Sequence, residues 1–358
     1  MEKNREKFLE TLVNAMSPSG FEEEAVKVWV ERAKPYADKV YTDYHGNAIA
    51  VINEGKEPRI MLAGHIDEIG YMITYVDEQG YLYFNTIGGV DPQIAQGQRV
   101  WIKGKDGSRI LGVIGKKAIH LLDEEERKRV PKFKEMWIDI GARNKDEALE
   151  KIDIGTCAVN AQSYERLYNN NVVARGFDDR VGAFIVLEAL IELSKVKDKL
   201  NASIYAVATV QEEIGLRGAH TSAFGIDPHV GIAVDVTHTA DQPGVEKKVI
   251  GDIKLGGGPV IARGPNISPK VFEKLVATAK ELNLPYQVEP APRATGTDAN
   301  AIQLTRSGVA TGLVSVPNRY MHTPCEIVNL EDLDNIIKLL AGFCERVKSK
   351  EEFILYQI

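Results

Sequence analysis

Residues 202–213, Ala-Ser-Ile-Tyr-Ala-Val-Ala-Thr-Val-Gln-Glu-Glu, run from a near-continuous apolar strand straight into two adjacent carboxylates. A strand that is apolar at almost every position is covered on both faces, as in a parallel sheet between helical layers. The flanking segments alternate in the same sense. Residues 181–193 read as a helix behind Asp178 and Asp179, with residues 230–234 and 309–316 as two more buried strands. Ser268 and Pro269 open a helix to about Leu282, and Asn329 caps a last one. In that last helix Leu333, Ile336, Ile337, Leu340, Cys344 and Val347 form one apolar stripe. Upstream, Phe8, Leu9, Leu12, Val13 and Met16 keep helical spacing until Ser17-Pro18-Ser19-Gly20 breaks it, and residues 22–33 form a second amphipathic candidate. Residues 40–52 read as a hairpin around His45-Gly46-Asn47, and residues 59–63 as a short strand ending at Gly64-His65. The fold expected is a mixed α/β one, its largely parallel sheet flanked by helices.

One stretch departs from this alternation. From about Tyr71 to Gln162, short β-rich runs such as residues 81–86 and 110–114 are punctuated by Gly80, Gly88, Gly89, Gly97, Gly104, Gly107 and Gly112. Such texture predicts an inserted small β-barrel or sandwich, interrupted only by the charged residues 123–129 as a solvated loop or turn of helix. The expected organisation is residues 1–70 as the first part of the α/β domain, 71–164 as the insertion and 165–358 as the second part. A chain of 358 residues exceeds the roughly 250–300 at which one core stops growing.

Composition narrows the function classes. The chain is 44% hydrophobic and 27% charged, which excludes a disordered polymer. A net charge of -7 without a basic stripe disfavours nucleic acid as a partner. No stretch nears the roughly 20 apolar residues of a membrane span, and residues 1–10 lack the apolar region of a signal peptide. Three cysteines, an odd number, point to a reducing, cytoplasmic setting.

Metal-type side chains follow the strands, where α/β sheets gather their ligands. They are His65 and Asp67, Glu212 and Glu213, Asp235 after residues 230–234, and His322 shortly past residues 309–316. Asp178 and Asp179 stand at a helix start, where Asp179 also serves as a cap. Two imidazoles with several carboxylates suit a pair of divalent ions, with zinc foremost and cobalt or manganese acceptable. On an extended segment His65 and Asp67 point the same way, so Asp67 can orient the ring. Glu212 and Glu213 reach one site only if the strand ends or bends there, one then binding metal while the other takes a proton from the attacking water. Singly, each pair has an ordinary reading as a surface edge or a cap; it is their recurrence at successive strand ends that points to a site. His45, His120, His220 and His229 read as surface or structural residues. His238 is a weaker alternative ligand, as is Cys325. The run from Gly256 to Pro259 reads as a turn or a wall of the substrate site.

The chain resembles the M42-family metalloaminopeptidases of the tetrahedral type, within the dinuclear zinc exopeptidases. The resemblance is carried by Ser17-Pro18-Ser19-Gly20-Phe21-Glu22, Gly64-His65-Ile66-Asp67-Glu68-Ile69-Gly70, Phe177-Asp178-Asp179-Arg180-Val181-Gly182 and Val210-Gln211-Glu212-Glu213-Ile214-Gly215. Gly218-Ala219, Ala233-Val234-Asp235, Thr295-Gly296-Thr297-Asp298-Ala299 and His322-Thr323-Pro324 extend it over the whole chain. It implies that His65 and Asp235 hold one metal, Glu213 and His322 the other, with Asp178 bridging. Glu212 would be the general base and acid, and Asp67 the orienter of His65. The insertion would serve dimerisation, and dimers would build a hollow dodecamer admitting short peptides. Competing expectations are a related hydrolase, either an amide deacylase or the glucanase ascribed to some relatives, and a non-catalytic metal-binding protein. Glucan cleavage needs two carboxylates about 5–9 Å apart across a sugar, which carboxylates committed to metal do not offer. The first residue preferred stays open; Arg217, Arg263 or Arg293 in its pocket would favour acidic side chains.

Overall fold

The computed structural model describes residues 1–356. Strand Ser203–Thr209 is buried throughout, pairing with Ala48–Ile52 antiparallel on one side and Arg59–His65 parallel on the other. The eight-stranded sheet continues through Val230–His238, Ala310–Asn318, Val260–Arg263 and Gln287–Pro290, with Lys39–Thr42 at the opposite edge. Ser203–Thr209, Arg59–His65, Val230–His238 and Ala310–Asn318 are mutually parallel, so their carboxyl ends open along one rim.

Strand alternation divides the core into two layers. Ile60, Leu62, Ile204, Ala206, Ile232 and Val234 face helices Lys3–Asn14, Glu23–Ala33, Phe177–Ser194, Pro269–Glu281 and Leu330–Glu345. Met61, Ala63, Tyr205, Val207 and Ala233 face helices Arg217–Ile226 and Asp298–Ile302. This is the mixed α/β architecture expected, with helices on both faces of a largely parallel sheet.

The helix Phe177–Ser194 lies almost wholly buried against the central strands and against Leu330–Glu345. It comes very close to Arg59–His65, since a Cβ at Gly64 would stand 2.3 Å from the backbone carbon of Gly182. That approach lets the Asp179 carboxylate accept from His65 N at 3.2 Å and from Gly182 N at 3.1 Å. Asp179 therefore caps its helix as expected and also ties it to the neighbouring strand.

Between the third strand and this helix the chain closes a barrel of strands Gly70–Val76, Leu82–Ile87, Ile138–Asp139, Arg109–Ile114, Arg99–Lys103 and Cys157–Asn160. Tyr71, Ile73, Phe84, Val100 and Ile102 fill it, with Tyr71 edge-on to Phe84. Residues 123–129 contain an exposed helical turn, Glu124–Lys128, closed by a capping box between Asp123 and Glu126. A separate antiparallel sheet joins Glu165–Arg166, Asn171–Ala174 and Glu326–Asn329. Among the described residues no helix is long and apolar enough to cross a membrane.

One sequence expectation changes. The strand from Val230 runs on to His238, so Asp235 lies within it and not after it. It still faces the rim, because pairing with Arg59–His65 stops at Ala233 and leaves that edge open. Leu216 caps the helix Arg217–Ile226 that follows the Glu212–Glu213 turn. Gly256 N and Gly258 N donate to the Asp332 carboxylate at 2.8 and 2.7 Å, making that glycine run a tethered turn.

Replacing Gly64 by Ala sets backbone against a new methyl group, a clash that no rotamer relieves. Overpacking of this kind costs typically 1–3 kcal/mol. The expected result is a loss at the upper end of that range, seen as a lower urea midpoint at unchanged slope. An unchanged midpoint would show that the helix can shift freely.

Candidate metal centre

Sequence reasoning brings seven residues to one place, and the structure shows how each arrives. His65 ends its strand, and its Nε2 lies 3.2 Å from Asp178 Oδ1. His322, in a turn with φ near 60°, places its Nε2 3.1 Å from Asp178 Oδ2 and 3.3 Å from Glu213 Oε1. One carboxylate thus stands between two imidazoles, one on each oxygen. Candidate ligand atoms of His65, Asp178 and Glu213 lie within 4.8 Å of one another, as do those of His65, Asp179 and Asp235. Asp179, read from sequence only as a cap, therefore belongs to the same constellation.

The Glu212–Glu213 pair reaches the site because the strand stops at Thr209 and Gln211 takes a φ of 57°. Asp67 then fixes the turn. Its Oδ1 accepts from Glu212 N at 3.0 Å and its Oδ2 from Glu213 N at 3.2 Å, while Ser19 Oγ donates to Oδ2 at 2.6 Å. Against the His65 ring, Asp67 presents its backbone carbonyl 3.2 Å from Nδ1 and its Oδ1 at 3.5 Å. Its shorter carboxylate contacts are thus with the Glu212–Glu213 backbone. On the other ring, the Gly89 carbonyl lies 3.0 Å from His322 Nδ1.

Glu326 escaped sequence reasoning altogether. Buried, its two oxygens accept from Asp178 N and His322 N, both at 3.0 Å, so one side chain aligns two candidate ligands. No motif announces it: it follows His322 by four residues and begins an ordinary strand. Asp298, also buried, receives the Thr209 hydroxyl and has its other oxygen without a hydrogen bond.

The electrostatics are those of an acid cluster short of cations. Burial drives Asp179 and Asp235 well above the usual carboxylate range, with further pushes from Asp235 on Asp179 and from Asp178 on Asp235. Burial, aided by Asp235, Asp298 and Glu213 and opposed by His65, pushes Glu212 up to about 10. Asp178 moves the other way: burial opposes its charge, but His322 and His65 hold it below the ordinary value. For His322 burial is likewise outweighed, by Asp178 and Glu213, and the ring is raised to about 11. Glu213 Oε1 is buried without a hydrogen bond. Nitrogen and oxygen donors crowded around unneutralised carboxylates are what hard or borderline divalent ions accept. These residues fit such ions.

The centre opens into a cleft of about 490 Å³. His238 and Arg293 line it. Arg263 does not; it borders a separate cavity and stacks over Phe272. Arg217 is also absent from the cleft and pairs with Gln211 Oε1 at 3.3 Å. His229 is structural, accepting from Arg59 N, and Cys325 is exposed outside the ligand groups.

A sequence model of the family described as M42 glutamyl aminopeptidase matches residues 46–339. The lysyl aminopeptidase of Pyrococcus furiosus is 40% identical, covering 95% of this chain and 96% of its own. Among solved structures, the TET aminopeptidase of a marine sediment archaeon, Thaumarchaeota archaeon SCGC AB-539-E09, superposes with a TM-score of 0.92 at 32% identity, over 98% of both chains. The Pyrococcus horikoshii TET1 peptidase, described as assembling into a tetrahedron or a large octahedral shell, does so at 0.86 and 31% identity, over 96% of this chain and all of that one.

Glu326→Gln keeps the side chain's shape but turns an N–H toward a backbone N–H that needs an acceptor. Losing a partner that orients metal ligands costs typically 10–100-fold in affinity. That drop in zinc affinity is expected in a chelator-competition titration, with every candidate ligand still present. Undiminished affinity would show that Glu326 does not align the centre.

Proposed function

The chain belongs to the M42 family of aminopeptidases, and from that premise we propose that it removes N-terminal residues from short peptides using two divalent ions. The observation that carries this reading is Asp178 with His65 at one oxygen and His322 at the other, the disposition of a ligand shared by two ions. His65 and Asp235 would hold one ion, Glu213 and His322 the second. Zinc suits this donor set, and cobalt or manganese would also be accepted. When bound, the ions polarise the scissile carbonyl and acidify the attacking water.

The rest is the work of the chain. Glu212 lines the cleft beside the ligands, held by its backbone N–H on Asp67, and its carboxylate takes the water's proton and passes it to the leaving amine. Burial raises the Glu212 carboxyl, and a divalent ion held by its neighbours would draw it back toward the working range of a general base. Asp67 keeps Glu212 and Glu213 on their separate tasks and steadies the His65 ring.

Residues 71–164 form the dimerisation domain in this reading, between catalytic segments 1–70 and 165–358; the barrel strands from Gly70 to Asn160 support it. A homo-oligomer built from such dimers, up to a tetrahedral dodecamer, is supported by the tetrahedron described for the Pyrococcus horikoshii peptidase and by the dodecamer described for PhTET1. Three unpaired cysteines, Cys157, Cys325 and Cys344, accord with the cytoplasm.

Glu212→Gln is expected to retain wild-type metal content while losing about 10²–10⁴ in kcat on peptides with a free N-terminus. Full turnover by that variant would overturn the assignment. Chelator should abolish wild-type activity, and added metal restore it. N-acetylated peptides should resist cleavage; their hydrolysis would favour a deacylase, and chelator-insensitive breakdown of carboxymethylcellulose a glucanase.

A further inference from the structure

Past Asp235 the strand Val230–His238 continues along the cleft. Thr237, two residues on, shares the face of Asp235 and lies about 6–7 Å farther along the strand. Thr237 is buried, and its hydroxyl donates to Glu289 Oε1 at 2.7 Å. Glu289 stands on the edge strand Gln287–Pro290, whose Gln287 and Glu289 are its partly buried positions. Glu289 lines the same cleft as the candidate metal ligands.

A carboxylate sheltered there needs a cation, and the protein supplies none: among the described residues Glu289 has no ion pair. Burial pushes its pKa up, while the Thr237 hydroxyl and the charge of His238 pull it down. Besides the candidate ligands His65 and His322, the basic groups facing the cleft are His238 and Arg293, and none of the four reaches it with a hydrogen bond. Arg293 is exposed on the segment after the strand and has no ion-pair partner among the described residues. Exposed to solvent, its charge is screened by water and salt more than that of a buried group.

We propose that Glu289, fixed by Thr237, receives the charged end of a cationic first residue, so that the cleft selects peptides beginning with lysine or arginine. This rests on the aminopeptidase reading above. The α-amine and scissile bond lie at the metal centre, and the side chain runs along the strand to the carboxylate. A hydrogen bond between charged partners in such a setting is worth about 10–100-fold in affinity.

The test is a panel of lysyl, arginyl, leucyl and glutamyl p-nitroanilides on zinc-loaded full-length protein. Wild type is expected to show kcat/KM for lysyl at least 10-fold above glutamyl. In Glu289→Gln the lysyl-to-leucyl ratio should fall 10–100-fold, and in Glu289→Lys the glutamyl substrate should become preferred over lysyl. A wild-type preference for glutamyl overturns the proposal without any variant. So does an unchanged lysyl-to-leucyl ratio in Glu289→Gln, which would place the carboxylate on the α-amine, or a ratio governed by Arg293→Ala instead. Release from none of the four would sink the aminopeptidase reading itself.

Discussion

Mutual repulsion among buried carboxylates is the constraint that the rest of this structure serves. Asp178, Asp179, Glu212, Glu213 and Asp235 are brought together with two imidazoles, which do not neutralise them. Left to side-chain freedom, such groups would splay apart or take up protons. They are held by backbone donors and acceptors. Asp67 grips the Glu212–Glu213 turn from one direction, and Glu326 grips the Asp178 and His322 backbones from the other. Behind them, Arg175 and Arg180 meet Glu68 at 3.2 and 2.9 Å, a buried ion cluster whose Glu68 also accepts from Ser17 N. The fold thus stores an arrangement of negative charge that becomes favourable when cations enter it.

That arrangement depends on close backbone packing. The near-contact of Gly64 with Gly182 sets the buried helix against the strand that delivers His65. Parallel pairing then aligns the ends of the neighbouring strands, so residues far apart in sequence reach one rim. The cleft is the space left where this rim meets the edge strand Gln287–Pro290.

Much of this could be read before any coordinates. Buried strands such as residues 202–210 announce themselves because both faces are apolar, and the last helix because its stripe is complete. His65, Glu212 and His322 were legible as ligand-type residues at strand ends. Asp235 was identified, although its strand proved longer: Val236 and Thr237 continue it under the pairing of Ala310–Asn318, a neighbour that residues 230–234 alone do not reveal. Glu326 and Glu289 were not legible. Their roles come from contacts across 148 and 52 residues, with Asp178 and Thr237, and nothing in the local pattern distinguishes them from surface glutamates. Nor was Gln287–Pro290, an edge strand whose alternate positions are exposed.

The small sheet joining Asn171–Ala174 to Glu326–Asn329 has a consequence for the timing of activity. Asp178 follows the first of these strands and His322 precedes the second, so the centre closes only when the two meet. A ribosome extends a chain at about 5–20 residues per second, so the 148 residues between Asp178 and Glu326 take about 7–30 seconds to appear. When Asp178 is made, only Lys39–Thr42, Ala48–Ile52 and Arg59–His65 of the eight-stranded sheet exist, and the candidate ligands Glu213, Asp235 and His322 are still to come. The order of the sequence thus makes the candidate centre a late product of synthesis, complete only once His322 and the strand behind it exist.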